Sequence, residues 1–151
     1  MRTPVTEALD LAGVPYEVRR HSRPLFTAEE AAQERNVALG QICKVMIVRR
    51  PDGRLVAVVI PGDKRLALRE VRHALGERRL TMAPAEEIVE RLGLTVGAIS
   101  PVGLHERLEM LVDEGIAGHE YVSISSGNPE AGIVLRSADL LHLLDGRRGQ
   151  F

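Results

Sequence analysis

Cysteine is almost absent from this sequence. Cys43 is the only one, which excludes an internal disulfide and any zinc site built from paired cysteines. Tryptophan is missing, and Tyr16, Phe26, Tyr121 and Phe151 are the whole aromatic supply, so a platform that stacks successive RNA bases has no raw material. An excess of positive charge is lacking too: 20 Lys and Arg stand against 21 Asp and Glu, too even a balance to coat nucleic acid electrostatically. Any RNA contact is then local. No long apolar run occurs, and Met1, Arg2, Thr3 and Pro4 do not open a basic-then-hydrophobic leader. A soluble, cytoplasmic protein without a membrane partner is the expectation.

What is present fits one domain spanning 1–151, since 151 residues at 44% hydrophobic can close a core. Thr3 as cap, Pro4 at the first turn and Gly13 past the end predict a helix over 4–11. Residues 16–20 alternate as a strand, and Thr27 with Glu30 forms a capping-box signature for a helix through about 35. Two β-branched runs, 42–50 and 54–60, flank Pro51-Asp52-Gly53 and predict a central antiparallel hairpin. Helices follow over 66–75 and 84–92, stopped by Gly76 and Gly93, with a short strand at 80–82 between them. Further strands are expected at 98–100, 108–112, 121–125 and 133–136, then a helix over 137–144 capped by Ser137. The tail after about 145 is expected to fray. The sum is an α+β fold with a mixed, mainly antiparallel sheet and helices packed around it.

Several chemistries can be struck out. His119-Glu120 has no second histidine four residues on, the other histidines lack ligand spacing, and no Walker loop, dinucleotide fingerprint or Gly-x-Ser-x-Gly elbow occurs. No metal or cofactor is expected, and an acyl-enzyme has no obvious nucleophile. Strand alternation puts Cys43 with Val45 and Ile47 on one face and Lys44 with Ile42, Met46 and Val48 on the other, which makes Cys43 a core residue.

Lys44 is the sole charge in its strand, and only Lys44 and Lys64 are lysines among the basic residues. An ammonium stranded in an apolar run is explained by a pocket edge, or by a face open to water along which it snorkels. The segment Gly97, Ala98, Ile99, Ser100, Pro101, Val102, Gly103 offers backbone amides without side-chain obstruction, although glycine-proline loops are also ordinary turns. Ser125, Ser126, Gly127 and Asn128 place small polar groups at a strand end. Lys64, Arg65, Arg69 and Arg72 form the densest basic stretch, a phosphate contact or simply a solvated helix face.

Taken in order, Thr3-Pro4, the lysine of Ile42-Cys43-Lys44-Val45, Pro61-Gly62-Asp63-Lys64-Arg65-Leu66, the Gly97-x-x-x-Pro101-x-Gly103 loop and Ser126-Gly127 resemble the YbaK/ProX family across essentially the whole chain. That family comprises free-standing aminoacyl-tRNA deacylases and the editing insertion domain of bacterial prolyl-tRNA synthetases. The resemblance implies hydrolysis of mischarged tRNA, commonly tRNA(Pro) carrying cysteine, alanine or another small amino acid. A synthetase pocket that admits proline cannot strongly reject smaller side chains, so a second site must destroy the wrong product.

By this resemblance Lys44, Gly97, Ser100 and Pro101 are the expected catalytic set. Val45, Ala98, Ile99, Gly103, Ser126, Gly127 and Asn128 are expected to bind substrate, and Lys64, Arg65 and Arg69 the tRNA. Val45 stands where members often have Thr, Leu94 where they have an aromatic, and Asn128-Pro129-Glu130 where they have basic residues. The expected partner is the acceptor end of misacylated tRNA. Near-neutral charge predicts weak intrinsic affinity for it, leaving room for help from a prolyl-tRNA synthetase or an elongation factor. Two other readings share these features: an inactive module that only docks on tRNA or synthetase, and a hydrolase of small acyl esters that ignores RNA.

Overall fold

The hairpin demanded by Pro51-Asp52-Gly53 lies at the centre of the protein. Gly53 takes φ +93°, and Asp52 accepts the Arg54 N–H at 3.0 Å, so the turn is closed by its own residues. It joins β2 (Cys43–Arg49) to β3 (Leu55–Pro61), paired antiparallel from Cys43↔Pro61 to Arg49↔Leu55. The computed structural model describes residues 1–95 and 97–151. Every residue of β3 is buried, which explains why its sequence is apolar at each position rather than alternating.

β3 is flanked on its other side by β5 (Glu109–Asp113) in a parallel pairing, and β5 by β8 (Arg147–Gly149), also parallel. β4 (Thr81–Met82) adds to the outer edge of β2 at Val48 and Arg49 only, giving the order β4-β2-β3-β5-β8. A separate antiparallel sheet has the order β1-β7-β6, from β1 (Tyr16–Arg20), β7 (Ala131–Arg136) and β6 (Tyr121–Ser125). Two sheets thus replace the single one expected. They touch through one parallel bridge, Ile42↔Ser123.

The main core fills the space between the sheets. Cys43, Ile47, Ala57, Val59 and Val112 of the large sheet meet Val122, Ile124, Ile133 and Leu135 of the small one. Two helices close it: α1 (Pro4–Leu11) with Leu9, and α6 (Ser137–Leu144) with Leu140. The far face of the large sheet presents Val48, Val56, Val58 and Ile60 to Val71 of α3 (Leu68–Leu75) and to Phe151. Alternation along β2 and β3 therefore serves two cores, and burying each large aliphatic is worth about 1.5–3 kcal/mol. α2 (Ala28–Arg35), capped by Thr27, covers the outside of the small sheet. α4 (Ala85–Leu92) ends at Gly93 with φ +68°, as expected. Among the described residues no helix is long and apolar enough to cross a membrane.

Two local expectations change. Residues 98–100 form no strand; they lead into a single turn, α5 (Pro101–Leu104), which Ser100 caps through the Val102 N–H. The tail does not fray. Phe151 is 3% exposed, and its N–H donates to the buried carboxylate of Asp113 at 2.8 Å. Asp113 also accepts from the Gly115 N–H at 2.8 Å and from the Lys64 ammonium.

Burial alone would raise the Asp113 carboxyl, but the hydrogen bonds from Lys64, Phe151 and Gly115 outweigh it and leave it below the ordinary carboxylate value. A depressed folded value means that the stabilisation is complete above the unfolded pKa of about 4. It is lost as pH falls through the folded value. Asp113→Ala is expected to cost about 2–4 kcal/mol at neutral pH by denaturant titration, with the gap from the parent narrowing in acid.

Candidate active site

Between its contacts with β6 and β4, one edge of β2 is bare among the described residues. The Ile42 carbonyl accepts from Gly62 on the β3 side at 2.7 Å, and the Ile47 carbonyl accepts from Ala83 on the β4 side at 2.9 Å. Peptide groups alternate sides along a strand, so the Val45 N–H and C=O face away from β3 at a point that β4 does not reach. A cavity of about 270 Å³ opens at this edge, walled by Lys44, Val45, Gly97, Ile99, Arg35 and Ser125. Phe26, 67% exposed, stands at its rim beside Thr27.

Lys44 is half-buried, and among the described residues its one hydrogen bond is a long one, Nζ to the Gly62 carbonyl at 3.5 Å. Its remaining N–H donors stay available. The same side chain also walls an open groove of about 540 Å³ shared with Gly62, Asp63, Lys64, Arg65 and Leu66. Lys44 thus stands as a ridge between two concavities. Alternation along β2 is as expected: Cys43 turns into the main core while Met46 and Val48 pack on the opposite face.

The glycine-proline segment is a partition. Gly97 and Ile99 face the Lys44 cavity, whereas Ala98 and Ser100 line a separate cavity of about 300 Å³ with Pro4, Val5, Gly103 and Gly127. Divided between the two cavities in this way, the stretch does not present all of its residues to one ligand. Gly97 has φ +88°, and a Cβ there would lie 2.6 Å from the Leu25 carbonyl oxygen, so no other residue fits.

The expected site residues therefore divide. Lys44, Val45, Gly97 and Ile99 come together. Ala98, Ser100, Gly103 and Gly127 belong to the second cavity, and Pro101 is buried beneath the turn it starts. Ser126 is fully buried, and its hydroxyl donates to the Ala131 carbonyl at 2.7 Å, while Asn128 accepts the Glu130 N–H, so both build the turn before β7. Thr3 ties that turn to α1 by donating to the Ser126 carbonyl at 2.6 Å. Lys64 is paired with Asp113 and lines the groove with Arg65, and Arg69 is exposed on α3 outside it.

Cys43 borders the cavity too, but burial pushes its thiol up to about 12, so it stays protonated and unreactive. Cys43→Ala is expected to leave turnover unchanged in a hydrolysis assay. Ser125, one of the polar groups expected at a strand end, is on this wall, whereas Phe26 and Arg35 carry no site expectation in the sequence. Of these two, only Phe26, an aromatic in a chain with four, carried any signal.

Residues 22–143 match the model of the family described as the aminoacyl-tRNA editing domain. The chain belongs to that family. The prolyl-tRNA editing protein ProX of Acetoanaerobium sticklandii is 26% identical, the match covering 97% of this editing domain and 92% of ProX. A proline–tRNA ligase of Thermosipho africanus is 37% identical over 60% of this chain, and the chain spans only 16% of that ligase. Among solved structures, a candidate trans-editing enzyme for prolyl tRNA synthetase superposes with a TM-score of 0.84 at 28% identity, over 97% of this chain and 93% of its own.

Proposed function

We propose that this editing domain is a trans-acting, cytoplasmic aminoacyl-tRNA deacylase that hydrolyses the ester of mischarged tRNA, with tRNA(Pro) bearing a small amino acid as the substrate. The observation that carries the reading is the Lys44 ammonium on the wall of a small cavity whose facing segment, at Gly97, can only be glycine. A volume of about 270 Å³ suits a small aminoacyl group, and the adjoining groove of about 540 Å³ suits the terminal adenosine. Lys44, shared by both, reaches the phosphate or the ester oxygen at their junction.

An aminoacyl ester is already an activated acyl group. Water adds to the carbonyl carbon, the oxyanion is held by the Lys44 ammonium and the peptide N–H groups of Gly97 and Ile99, and the C–O bond to the ribose breaks. The ribose oxygen leaves with the proton that the water gave up. Positioning and charge stabilisation supply the rate, so no serine or cysteine nucleophile is called for. A substrate cysteine thiol can take the place of water.

Similarity to ProX over nearly its whole length supports a free-standing protein in place of a synthetase segment. The test is a hydrolysis panel of tRNA(Pro) charged with Pro, Ala, Cys, Ser and Thr. Release of a small amino acid with Pro-tRNA(Pro) spared is the expected result; charged tRNA undiminished throughout would leave only a docking module. Equal hydrolysis of aminoacyl-adenosine and aminoacyl-tRNA, insensitive to salt, would point to a small-ester hydrolase.

A further inference from the structure

Arg35, the last residue of α2, is 5% exposed, yet among the described residues no carboxylate lies within ion-pair distance of it. Nη1 donates to the Ser123 hydroxyl and the Ile124 carbonyl, both at a long 3.3 Å, and Nε is buried with no partner. Room for the side chain exists only because residue 132 is glycine; a Cβ there would fall 2.0 Å from Nε. Burial pulls the guanidinium down to about 10, still far above neutral, so it remains cationic. Its titratable neighbour is no anion: burial, with the charge of Arg35 itself, holds the His21 ring below its ordinary value against the pull of the Arg23 carbonyl and of the Glu34 and Glu130 carboxylates.

A buried charge without a counter-ion is costly, and apolar residues of similar volume are as stable or more so in such places. The α2 C-terminus favours a cation but does not neutralise one. What distinguishes Arg35 is that it lines the cavity that also holds Lys44 and Gly97. Lys44, on the ridge to the outer groove, is placed for the ester and the terminal phosphate. Arg35 and Ser125, on the small-sheet side, are left for the group that enters furthest, the amino-acid side chain.

We propose that Arg35 sets the amino-acid specificity of this site by binding a side chain that ends in an oxygen acceptor, a short carboxylate such as aspartyl best and a bare methyl such as alanyl worst. The inference rests on the deacylase reading and names its substrate class. A site built around an unpaired donor discriminates against ligands that leave it unpaired far more sharply than an apolar pocket discriminates by size.

The experiment compares Arg35→Met, Arg35→Lys and the parent on tRNA charged with Asp, Ser or Ala. It adds calorimetric binding of non-hydrolysable 3′-aminoacylamino-adenosines carrying the Asp or Ala side chain. The parent is expected to prefer Asp, and Arg35→Met to lower the Asp-to-Ala ratio of kcat/KM by about 10- to 100-fold, with Arg35→Lys restoring part of it. A purely structural arginine would change melting temperature and scale all substrates equally; an unchanged ratio in a folded Arg35→Met overturns the proposal. If Arg35→Met does not fold, the Arg35→Lys ratio decides in the same way. If the parent hydrolyses nothing, the deacylase reading fails by itself. Binding then judges Arg35: Asp analogue favoured and the preference lost in the variant upholds it, equal binding refutes it.

Discussion

Lys44→Ala is expected to fold as the parent does and to lose deacylation by about 100- to 1,000-fold in kcat/KM, the range seen when a charge-stabilising donor is removed from a reaction centre. Stability is expected to hold because Lys44 makes no ion pair among the described residues and only one long hydrogen bond, to the Gly62 carbonyl. Removing a half-buried ammonium from an otherwise apolar strand relieves a desolvation cost as much as it loses a contact. Lys44→Arg is expected to be nearly as inactive. A planar fork cannot occupy the ridge between the two concavities as a compact ammonium does. The check is single-turnover hydrolysis alongside thermal melts, and full activity in Lys44→Ala would remove this residue from the chemistry.

Gly97→Ala is the second large effect, and it acts through geometry. The residue sits at φ +88°, and its new methyl group would lie 2.6 Å from the Leu25 carbonyl oxygen, backbone that cannot swing aside. The strained conformation costs about 1–3 kcal/mol, and the segment must withdraw from the cavity to relieve the clash. A shift of about 1 Å in a positioning group is enough for a loss of about 100-fold. Gly103→Ala is the matched control. Its φ is +97° and nothing lies within 4 Å of the added methyl, so it pays the backbone strain alone, in the other cavity. Melting temperature is expected to fall in both variants, and turnover in Gly97→Ala only.

The sequence disclosed local features where local chemistry decides them. Pro51-Asp52-Gly53 closes the β2–β3 turn with its own atoms, Thr3 and Thr27 cap their helices, and alternation assigns Cys43 and Lys44 to opposite faces. Lys44 was conspicuous because a charge in an apolar strand demands a reason. What stayed hidden depends on residues far apart in the chain. Nothing near Lys64 announces its pairing with Asp113, and nothing near residues 147–151 announces β5, so local sequence points to a frayed tail where a strand forms. Arg35 looked like any helix-terminal arginine until Gly132, on another element, was seen to admit it. The glycine-proline segment was read as one surface because its turns were legible and its division between two cavities was not.

β3 pairs with β2 through a short turn, but its parallel pairing with β5 spans α3, β4, α4 and the segment that carries Gly97. The hairpin can assemble early and alone, whereas a parallel crossover of that length closes late. Lys44 rides on the early part and its opposing wall on the late part. A half-assembled chain therefore holds its lysine against open water, and competence to cleave arrives together with the last strand pairing.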